Sequence, residues 1–280
     1  MERSKTKTRV WVVEQGERRS RSDYLATEEP LEIRLTNPQR SIAVTMRTPG
    51  ADFELTAGFL YTEGVIQQRQ DICQMRHCVD PQVDGTQRYN IVNVTLREGL
   101  NPNLASLERH FYTTSACGVC GKASLEALQL RGCAVLPATL LIDANILYQL
   151  PEKLRAAQGI FRLTGGLHAA ALFDRQGTLL SLQEDVGRHN ALDKLIGAAL
   201  LSEQLPFDDL IVVVSGRSSF EILQKCLMAR VAIVCAISAP SSLAVAIAQE
   251  FNITLVGFLR GDRCNVYAGV DRIQGYSPAC

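Results

Sequence analysis

Two cysteines, Cys117 and Cys120, stand three positions apart in the segment Cys117-Gly-Val-Cys-Gly121. The glycines between and after them allow backbone turns that residues with a Cβ avoid. The run that follows, 122–130, carries helix-forming residues and leucines, and it predicts a short amphipathic helix. The N–H groups at the start of such a helix, its dipole and Lys122 all favour a thiolate. The spacing therefore predicts a reactive sulfur.

Three kinds of chemistry fit a Cys-x-x-Cys pair: a structural zinc site, thioredoxin-type redox exchange, and sulfur transfer through a persulfide. Structural zinc needs four ligands, and the candidate partners are Cys73, His77 and Cys78. These three residues lie in a predicted strand, where alternation sends Cys73 and Cys78 to opposite faces. The pattern disfavours a shared metal ion, so we predict no metal site and leave redox exchange and sulfur transfer open.

The composition is typical of a protein with a substantial core. The chain has 280 residues, of which 46% are hydrophobic and 21% charged, and its formal net charge is zero. A neutral balance gives no overall attraction to nucleic acid or membranes, and no apolar run approaches the roughly 20 residues that span a bilayer. Residues 1–9 lack the apolar centre of a secretory signal. Nine cysteines, several within apolar segments, indicate free thiols in a reducing compartment, so we predict a cytoplasmic protein.

Hydrophobic patterning along the chain predicts the helices, strands and domains that surround the cysteine pair. Residues 1–25 predict a solvated basic arm with one possible strand at Val10–Val13. Alternating strands, one helix and a hairpin over 26–110 predict an N-terminal α+β subdomain. We expect 111–125 to form a mobile loop that carries the cysteine pair. From 140 to 280, apolar strands alternate with helices, which predicts a largely parallel sheet covered on both faces.

Polar residues gather where the strands of this predicted sheet end, which is where open α/β sheets bind ligands. The loop 184–190 holds two carboxylates, Arg188 and His189, although an ordinary charged surface loop has the same composition. Ser215 and Arg217 follow the next strand, where serines either cap the helix or bind an anion. His168 begins an apolar strand, and a histidine there is more often packed in the core than used in catalysis.

The last predicted strand ends at Arg260 and Arg263, which flank Gly261. Arginine binds phosphate oxygens through two parallel hydrogen bonds, so arginines gathered at strand ends are typical of phosphate recognition. The residues with this placement are Arg188, Arg217, Arg260 and Arg263. The sequence therefore predicts a phosphate-binding site that is separate from the cysteine pair.

Several motifs resemble, in type and order, those of the formate dehydrogenase accessory sulfurtransferase family, FdhD. They are CGVCG at 117–121, LTGGLHAA at 163–170, EDVGRHNALDK at 184–194, SGR at 215–217 and LVGF at 255–258. The resemblance covers the chain from about residue 25 onwards. It implies an α/β fold with a three-layer α/β/α core, a cytidine deaminase-like mixed sheet, and a smaller N-terminal β-rich α+β subdomain. It also implies a homodimer.

The resemblance implies a mechanism as well. A cysteine desulfurase would hand sulfur to Cys117, which would hold it as a persulfide, with Cys120 as the second catalytic residue. The protein would then transfer sulfur to the molybdenum cofactor, bis(molybdopterin guanine dinucleotide), for formate dehydrogenase. A guanine nucleotide would mimic part of that cofactor, whose pyrophosphates supply the anions that the arginines predict.

The cofactor-binding segment of the family corresponds to Phe258, Leu259, Arg260, Gly261, Asp262 and Arg263 in this chain. To this segment we add the residues at the other strand ends: His168, Arg188, His189, Ser215 and Arg217. Two alternatives stay open. The first is a chaperone that binds the cofactor without sulfur chemistry. The second and more distant alternative is a redox or zinc protein built on the cysteine pair.

Overall fold

The computed structural model describes residues 2–102, 104, 128 and 133–275. Cys117 and Cys120, with the loop predicted over 111–125, lie outside the described residues. Three sheets carry the described fold: a two-stranded hairpin, a four-stranded sheet and a six-stranded sheet. One further short pair joins β7 (Ile142–Asp143) to β14 (Ile273–Gln274).

The chain begins with an antiparallel hairpin of strands β1 (Lys5–Glu14) and β2 (Glu17–Ala26). The sequence predicted a solvated basic arm here, and its possible strand at Val10–Val13 lies within β1. It did not predict that the arm forms a regular hairpin. The second strand was missed because its arginines and serines show no apolar alternation. Such alternation arises only where one face is buried, and most of the hairpin is exposed.

The four-stranded sheet consists of β3 (Glu29–Thr36), β4 (Gln39–Arg47), β5 (Ile72–His77) and β6 (Ile91–Leu96), in the order β4-β3-β6-β5. Strands β5 and β6 pair antiparallel, which confirms the predicted hairpin, while β3 and β6 are parallel. Helix α1 (Asp52–Thr62) packs its Leu55 and Leu60 in the same buried cluster as the alternate residues Leu31, Ile33 and Leu35 of β3.

The six-stranded sheet has the order β13-β12-β11-β10-β8-β9. Its strands are β8 (His168–Phe173), β9 (Leu179–Asp185), β10 (Ile211–Val214), β11 (Ile233–Ala236), β12 (Thr254–Arg260) and β13 (Arg263–Ala268). Only β10, β11 and β12 form parallel neighbours; β8 and β13 run against theirs. The apolar strands β10, β11 and β12 are parallel, as the sequence predicted. The sheet as a whole is mixed, which confirms the mixed sheet that the family resemblance implied, because short turns join β8 to β9 and β12 to β13, and a parallel crossover needs a dozen or more residues.

Helices cover both faces of this sheet, which confirms the three-layer α/β/α prediction. Helices α4 (Arg188–Leu201), α5 (Phe220–Met228) and α6 (Ser242–Glu250) share a buried cluster with Val212 and Val214. Helix α2 (Ala144–Ala157) shares another with Ile211 and Val213. A short helix, α3 (Phe161–Thr164), precedes β8.

The two larger sheets are joined where α1 crosses α4. A Cβ at Gly58 would lie 1.9 Å from the carbonyl oxygen of Asp193, and one at Gly197 would lie 1.8 Å from that of Glu54. The glycines therefore allow the two helix backbones to touch, and any side chain here would force them apart. Within the described residues, every helix is too short or too polar to cross a bilayer.

Candidate functional site

The polar residues predicted at strand ends meet at one edge of the six-stranded sheet. Strands β9 and β10 both run antiparallel to β8, so they run parallel to each other and to β11 and β12. Their carboxyl ends, Asp185, Val214, Ala236 and Arg260, therefore share an edge with the amino end of β8 at His168. This is the edge at which sheets of this kind bind ligands.

Gly216 is the point at which three segments of this edge converge. A Cβ at Gly216 would lie 3.3 Å from His168 Nδ1 and 3.4 Å from Arg188 Cδ. The glycine thus lets the loop after β10 lie directly against the start of β8 and the start of α4. Two of the predicted binding residues, His168 and Arg188, are brought together by this approach. We call the group His168, Arg188, His189, Ser219 and Glu221 the histidine cluster.

His189 is held between two residues of the next helix. Its Nε2 lies 3.2 Å from Ser219 Oγ and 3.7 Å from Glu221 Oε2. Burial, with the nearby Arg188 charge, lowers the pKa of His189 from 6.5 to about 4, although Glu221 acts in the opposite direction. The imidazole is therefore neutral at neutral pH, and it either donates or accepts a proton in its hydrogen bond.

His168 is half-buried at the sheet edge. Burial lowers its pKa, the Arg188 charge lowers it further, and Asp185 raises it less. The cluster thus offers two neutral imidazoles beside one permanent cation. The two residues that the sequence did not single out, Ser219 and Glu221, occupy the start of α5. The sequence shows a serine and a glutamate at this helix start, but helix capping alone accounts for both residue types, so they did not indicate a binding site.

Two buried donors at this edge have no protein acceptor within the described part of the chain. They are the Nε of Arg188 and the hydroxyl of Ser218, a residue with 0% exposure. A buried polar group without a partner costs free energy, and native proteins rarely leave one so. A ligand oxygen would satisfy such donors, and a guanidinium N–H bonds most strongly to a charged one.

The remaining serines of these loops have structural partners. Ser215 Oγ accepts from the N–H of Ala169 at 2.9 Å, and its own N–H donates to the Ala169 carbonyl at 2.9 Å. Ser215 therefore fastens β8 to the end of β10. Ser241 caps α6 by accepting a hydrogen bond from the Ala244 N–H at 3.2 Å. The side chain of Arg217 is exposed.

The two carboxylates of the loop 184–190 support the backbone instead of facing a ligand. Asp185 Oδ2 lies 2.7 Å from Lys194 Nζ, and both side chains are buried. Glu184 accepts hydrogen bonds from the N–H groups of Ile160, at 2.9 Å, and Phe161, at 2.7 Å. The surface-loop alternative is therefore wrong for this segment. Asp185 fixes the start of α4, from which Arg188 and His189 project, because it accepts a hydrogen bond from the Gly187 N–H at 2.8 Å. Glu184 instead holds the start of α3.

The turn between β12 and β13 forms the other end of the edge. Arg260 and Arg263 lie directly opposite each other across this turn, and both are exposed, as are Gly261 and Asp262 between them. Like charges placed opposite each other repel, so an anion between them would be favourable. Since neighbouring strands are about 4.8 Å apart, about 10 Å separates β12 from β10. We call Arg260–Arg263 the arginine turn.

 Phe258 and Leu259 precede the arginine turn and differ in their environment. The Leu259 side chain is fully buried in the core beside Val256, so only its backbone faces the edge. Phe258 has a positive φ of 51° and donates its N–H to the Ser238 carbonyl at 3.1 Å. This bond holds β12 against the loop after β11 and fixes the direction in which the turn leaves the sheet.

Cys73, His77 and Cys78, the candidate zinc ligands outside the cysteine pair, do not form a metal-binding group. Cys73 is exposed whereas Cys78 is buried, so the two thiols lie in different environments, as strand alternation predicted. Among the described residues, histidines, cysteines and carboxylates nowhere form a group of three that could hold a metal ion. Because Cys117 and Cys120 lie outside those residues, the absence of zinc from that pair stays a prediction.

Comparisons with known proteins agree on one family. The model of the FdhD/NarQ family matches residues 26–274. The "Sulfur carrier protein FdhD" of Streptomyces coelicolor is 48% identical over 275 residues, which cover 98% of this chain and 97% of that protein. The protein with the same name from Mycolicibacterium paratuberculosis is 50% identical over 271 residues, or 96% of this chain and 98% of that protein.

A more distant relative and a solved structure extend the comparison. The "Sulfur carrier protein FdhD" of Saccharolobus solfataricus is 43% identical over 253 residues, covering 90% of this chain and 91% of that protein. The crystal structure of a putative formate dehydrogenase accessory protein from Desulfotalea psychrophila has the same fold, with a TM-score of 0.73. Its sequence is 24% identical, and the match covers 96% of this chain and 99% of that one.

Proposed function

Because the chain belongs to the FdhD/NarQ family, we propose that it is a sulfur carrier that serves formate dehydrogenase. Relatives at 48–50% identity that match almost its whole length are named sulfur carriers, and the similar solved structure is titled a formate dehydrogenase accessory protein. The Cys117–Cys120 pair supplies the sulfur chemistry in this proposal. The edge of the six-stranded sheet supplies the binding site for the sulfur acceptor.

In the first step, the Cys117 thiolate attacks the terminal sulfur of a persulfide on a cysteine desulfurase. A new S–S bond forms at Cys117, the S–S bond of the donor breaks, and the donor cysteine leaves as a thiolate. The step needs no other reductant, since one persulfide is exchanged for another. Its rate depends on the fraction of Cys117 that is ionised, which Lys122 and the helix predicted from the sequence after the pair would raise.

The proposed acceptor is the molybdenum cofactor, bis(molybdopterin guanine dinucleotide), bound as a substrate. The observation that carries this part is the unpaired, buried Nε of Arg188 beside Gly216 and the Ser218 loop. A pyrophosphate oxygen would accept from this Nε, and a second phosphate would lie between Arg260 and Arg263. An extended ligand with several phosphates suits two cationic sites about 10 Å apart better than a single small anion does.

The neutral histidines have a defined part in this site. A protonated imidazole beside Arg188 would add a second positive charge, whereas a neutral one donates one hydrogen bond and accepts another. In this proposal His168 and His189 offer the ligand neutral hydrogen-bonding groups, while Arg188 supplies the positive charge.

In our proposal the working form is a homodimer.

The function is tested by activation of formate dehydrogenase in a reconstituted mixture of desulfurase, cysteine, cofactor and apoenzyme. Cys117→Ala should abolish activation, while Cys120→Ala should retain part of it. Cys73→Ala is the matched control, because Cys73 is an exposed thiol outside the pair, and it should activate normally. Full activation by Cys117→Ala would favour the alternative, a chaperone that delivers the cofactor without carrying sulfur.

A further inference from the structure

The hairpin β1–β2 has two faces with different charges. Its register sets odd residues of β1 and even residues of β2 on one side of the ribbon. That side, which we call the basic face, holds Lys5, Lys7, Arg9, Trp11, Val13, Arg18, Ser20, Ser22, Tyr24 and Ala26. It carries four cations and two aromatic rings, and no acidic residue.

The opposite face is different in kind, because its arginines have acidic neighbours. Arg19 lies 3.6 Å from Glu14, and Arg21 lies 3.5 Å from Asp23. On the basic face, by contrast, two of the four cations lie over aromatic rings. Arg18 is 5.5 Å from the centre of the Trp11 ring, and Lys5 is 4.7 Å from that of Tyr24. These contacts order the cations without neutralising them.

The hairpin also has an open strand edge. Within the described residues β1 and β2 pair only with each other, while β2 lies against α3. The outer edge of β1 therefore keeps backbone N–H and C=O groups that another strand can bond. On this edge Lys5, Lys7 and Arg9 are the alternate residues that face the basic side. Trp11 and Val13 continue the row, with exposures of 65% and 73%.

A groove of about 510 Å³ extends the cationic surface at the base of the hairpin, and Arg3 and Lys5 both line it. Arg3 lies 4.4 Å from the centre of the Tyr89 ring. The acidic residue in the groove, Glu29, already accepts a hydrogen bond from the Tyr89 hydroxyl and lies 3.5 Å from Arg47. An acidic side chain from another molecule would therefore meet two cations here.

We propose that the outer edge of β1 binds an extended, acidic segment of a partner protein as a third strand. The segment would bond to the β1 backbone and place carboxylates at alternate positions beside Lys5, Lys7 and Arg9. The attraction is local, since the net charge of the chain is zero. A peptide is favoured over a nucleic acid because only a peptide pairs with the open backbone edge.

This surface lies outside the part of the chain that defines the family. The family model begins at residue 26, where the hairpin ends. The Streptomyces coelicolor relative nevertheless matches 98% of the chain, so nearly all of the hairpin lies within that match. Peptide binding at this edge does not require sulfur transfer by Cys117, so it can be measured by itself.

The test measures the fluorescence anisotropy of a labelled ten-residue peptide of alternating glutamate and valine, titrated with the full chain at low salt. We expect saturable binding. The double variant Lys7→Glu/Arg9→Glu should weaken it roughly tenfold or more, because each change replaces an attraction by a repulsion. The matched control is Arg19→Glu/Arg21→Glu, which makes the same charge change on the opposite face and should alter the affinity less than about twofold.

Two further probes decide what kind of occupant binds. A peptide of the same composition with prolines at alternate valines cannot pair as a strand, and it should bind much more weakly. A ten-nucleotide oligothymidylate should bind more weakly than the peptide. Equal binding of the proline peptide, equal loss in both double variants, or tighter binding of the oligonucleotide would overturn the proposal. So would a change of oligomeric state in Lys7→Glu/Arg9→Glu alone, which would assign the edge to a second copy.

Discussion

The two ends of the sheet edge present arginine in opposite ways. In the histidine cluster, Arg188 is half-buried, its Nε has no acceptor in the described structure, and the helix that carries it is fixed by the buried Asp185–Lys194 pair. In the arginine turn, Arg260 and Arg263 are exposed and face each other across two residues. The first arrangement is preorganised for one geometry, and the second leaves its charges in solvent.

Because of this difference, the two ends should contribute to ligand binding in different ways. A buried donor has already lost its water, so a ligand that bonds to it gains more than one that bonds to an exposed group. Exposed charges act at longer range and are screened by salt. We therefore expect the histidine cluster to determine how tightly a phosphate binds, and the arginine turn to determine how fast it arrives.

The largest effect should come from the support beneath the buried end. Replacing Asp185 by alanine leaves Lys194 buried without its partner, which should reduce the free energy of unfolding by about 3–5 kcal/mol. Asp262→Ala in the arginine turn removes the same group from an exposed position, and it should change stability by less than about 0.5 kcal/mol. Urea denaturation of the three proteins measures both values. Equal stabilities would contradict the assignment of Asp185 as a support.

The next largest effect concerns the affinity for phosphates at the buried end. Arg188→Ala should weaken the binding of guanosine diphosphate by roughly ten- to a hundredfold, the value of a charge-assisted hydrogen bond of about 1.5–3 kcal/mol. Arg188→Lys should restore little, because lysine has no donor at the Nε position. Isothermal titration calorimetry measures the affinity. Arg230→Ala, at an exposed Arg–Asp pair elsewhere, is the control that should bind normally.

A smaller effect, and one that depends on salt, is expected at the exposed end. Arg260→Ala or Arg263→Ala should weaken guanosine diphosphate binding by up to about tenfold at low salt and by less as salt rises, because exposed charges are screened. Lysine at either position should rescue only part of the loss, because it keeps the positive charge but cannot bind phosphate in the bidentate mode. A larger loss of affinity in these variants than in Arg188→Ala, or an equal loss at every ionic strength, would contradict the roles assigned to the buried and the exposed arginines.

The effect that is smallest near neutral pH should appear in the pH dependence of stability. The pKa of His189 is about 4 in the fold against an ordinary 6.5, so the unfolded chain takes up this proton first as the pH falls. Its contribution to stability is complete above about pH 6.5 and is lost as the pH falls from there towards 4. His189→Gln keeps a hydrogen-bonding group beside Ser219 but does not titrate. As the pH falls from 6.5 to 4, the variant should therefore lose less free energy of unfolding than the wild type. If urea denaturation showed the same loss of stability in both proteins between pH 6.5 and pH 4, the lowered pKa of His189 would be contradicted.

The sequence predicted the sheet edge better than it predicted the roles of the residues on it. Apolar strands followed by helices were enough to bring His168, Arg188 and Ser215 to one edge, because strand direction determines where loops emerge. The loop 184–190 was ambiguous because Asp185 looks the same in a sequence whether it faces solvent or Lys194. The partner lies nine residues later on the helix, and burial cannot be read from residue type alone.

Two other features were beyond the sequence for different reasons. The approach at Gly216 depends on contacts between segments far apart in the chain, and a glycine in a loop is equally typical of an ordinary turn. The second strand of the hairpin has no buried face, so it lacks the apolar alternation by which strands are recognised. In both cases the tertiary arrangement, and not local propensity, decides the structure.

Intact-protein mass spectrometry shows whether Cys117 carries sulfur. The full chain is incubated with a cysteine desulfurase and cysteine, separated from both, and measured before and after treatment with a thiol reductant. The account predicts a gain of one sulfur atom that the reductant removes, present in wild type and Cys73→Ala and absent from Cys117→Ala. A reducible sulfur of equal occupancy on Cys117→Ala, or none on the wild type, would contradict it.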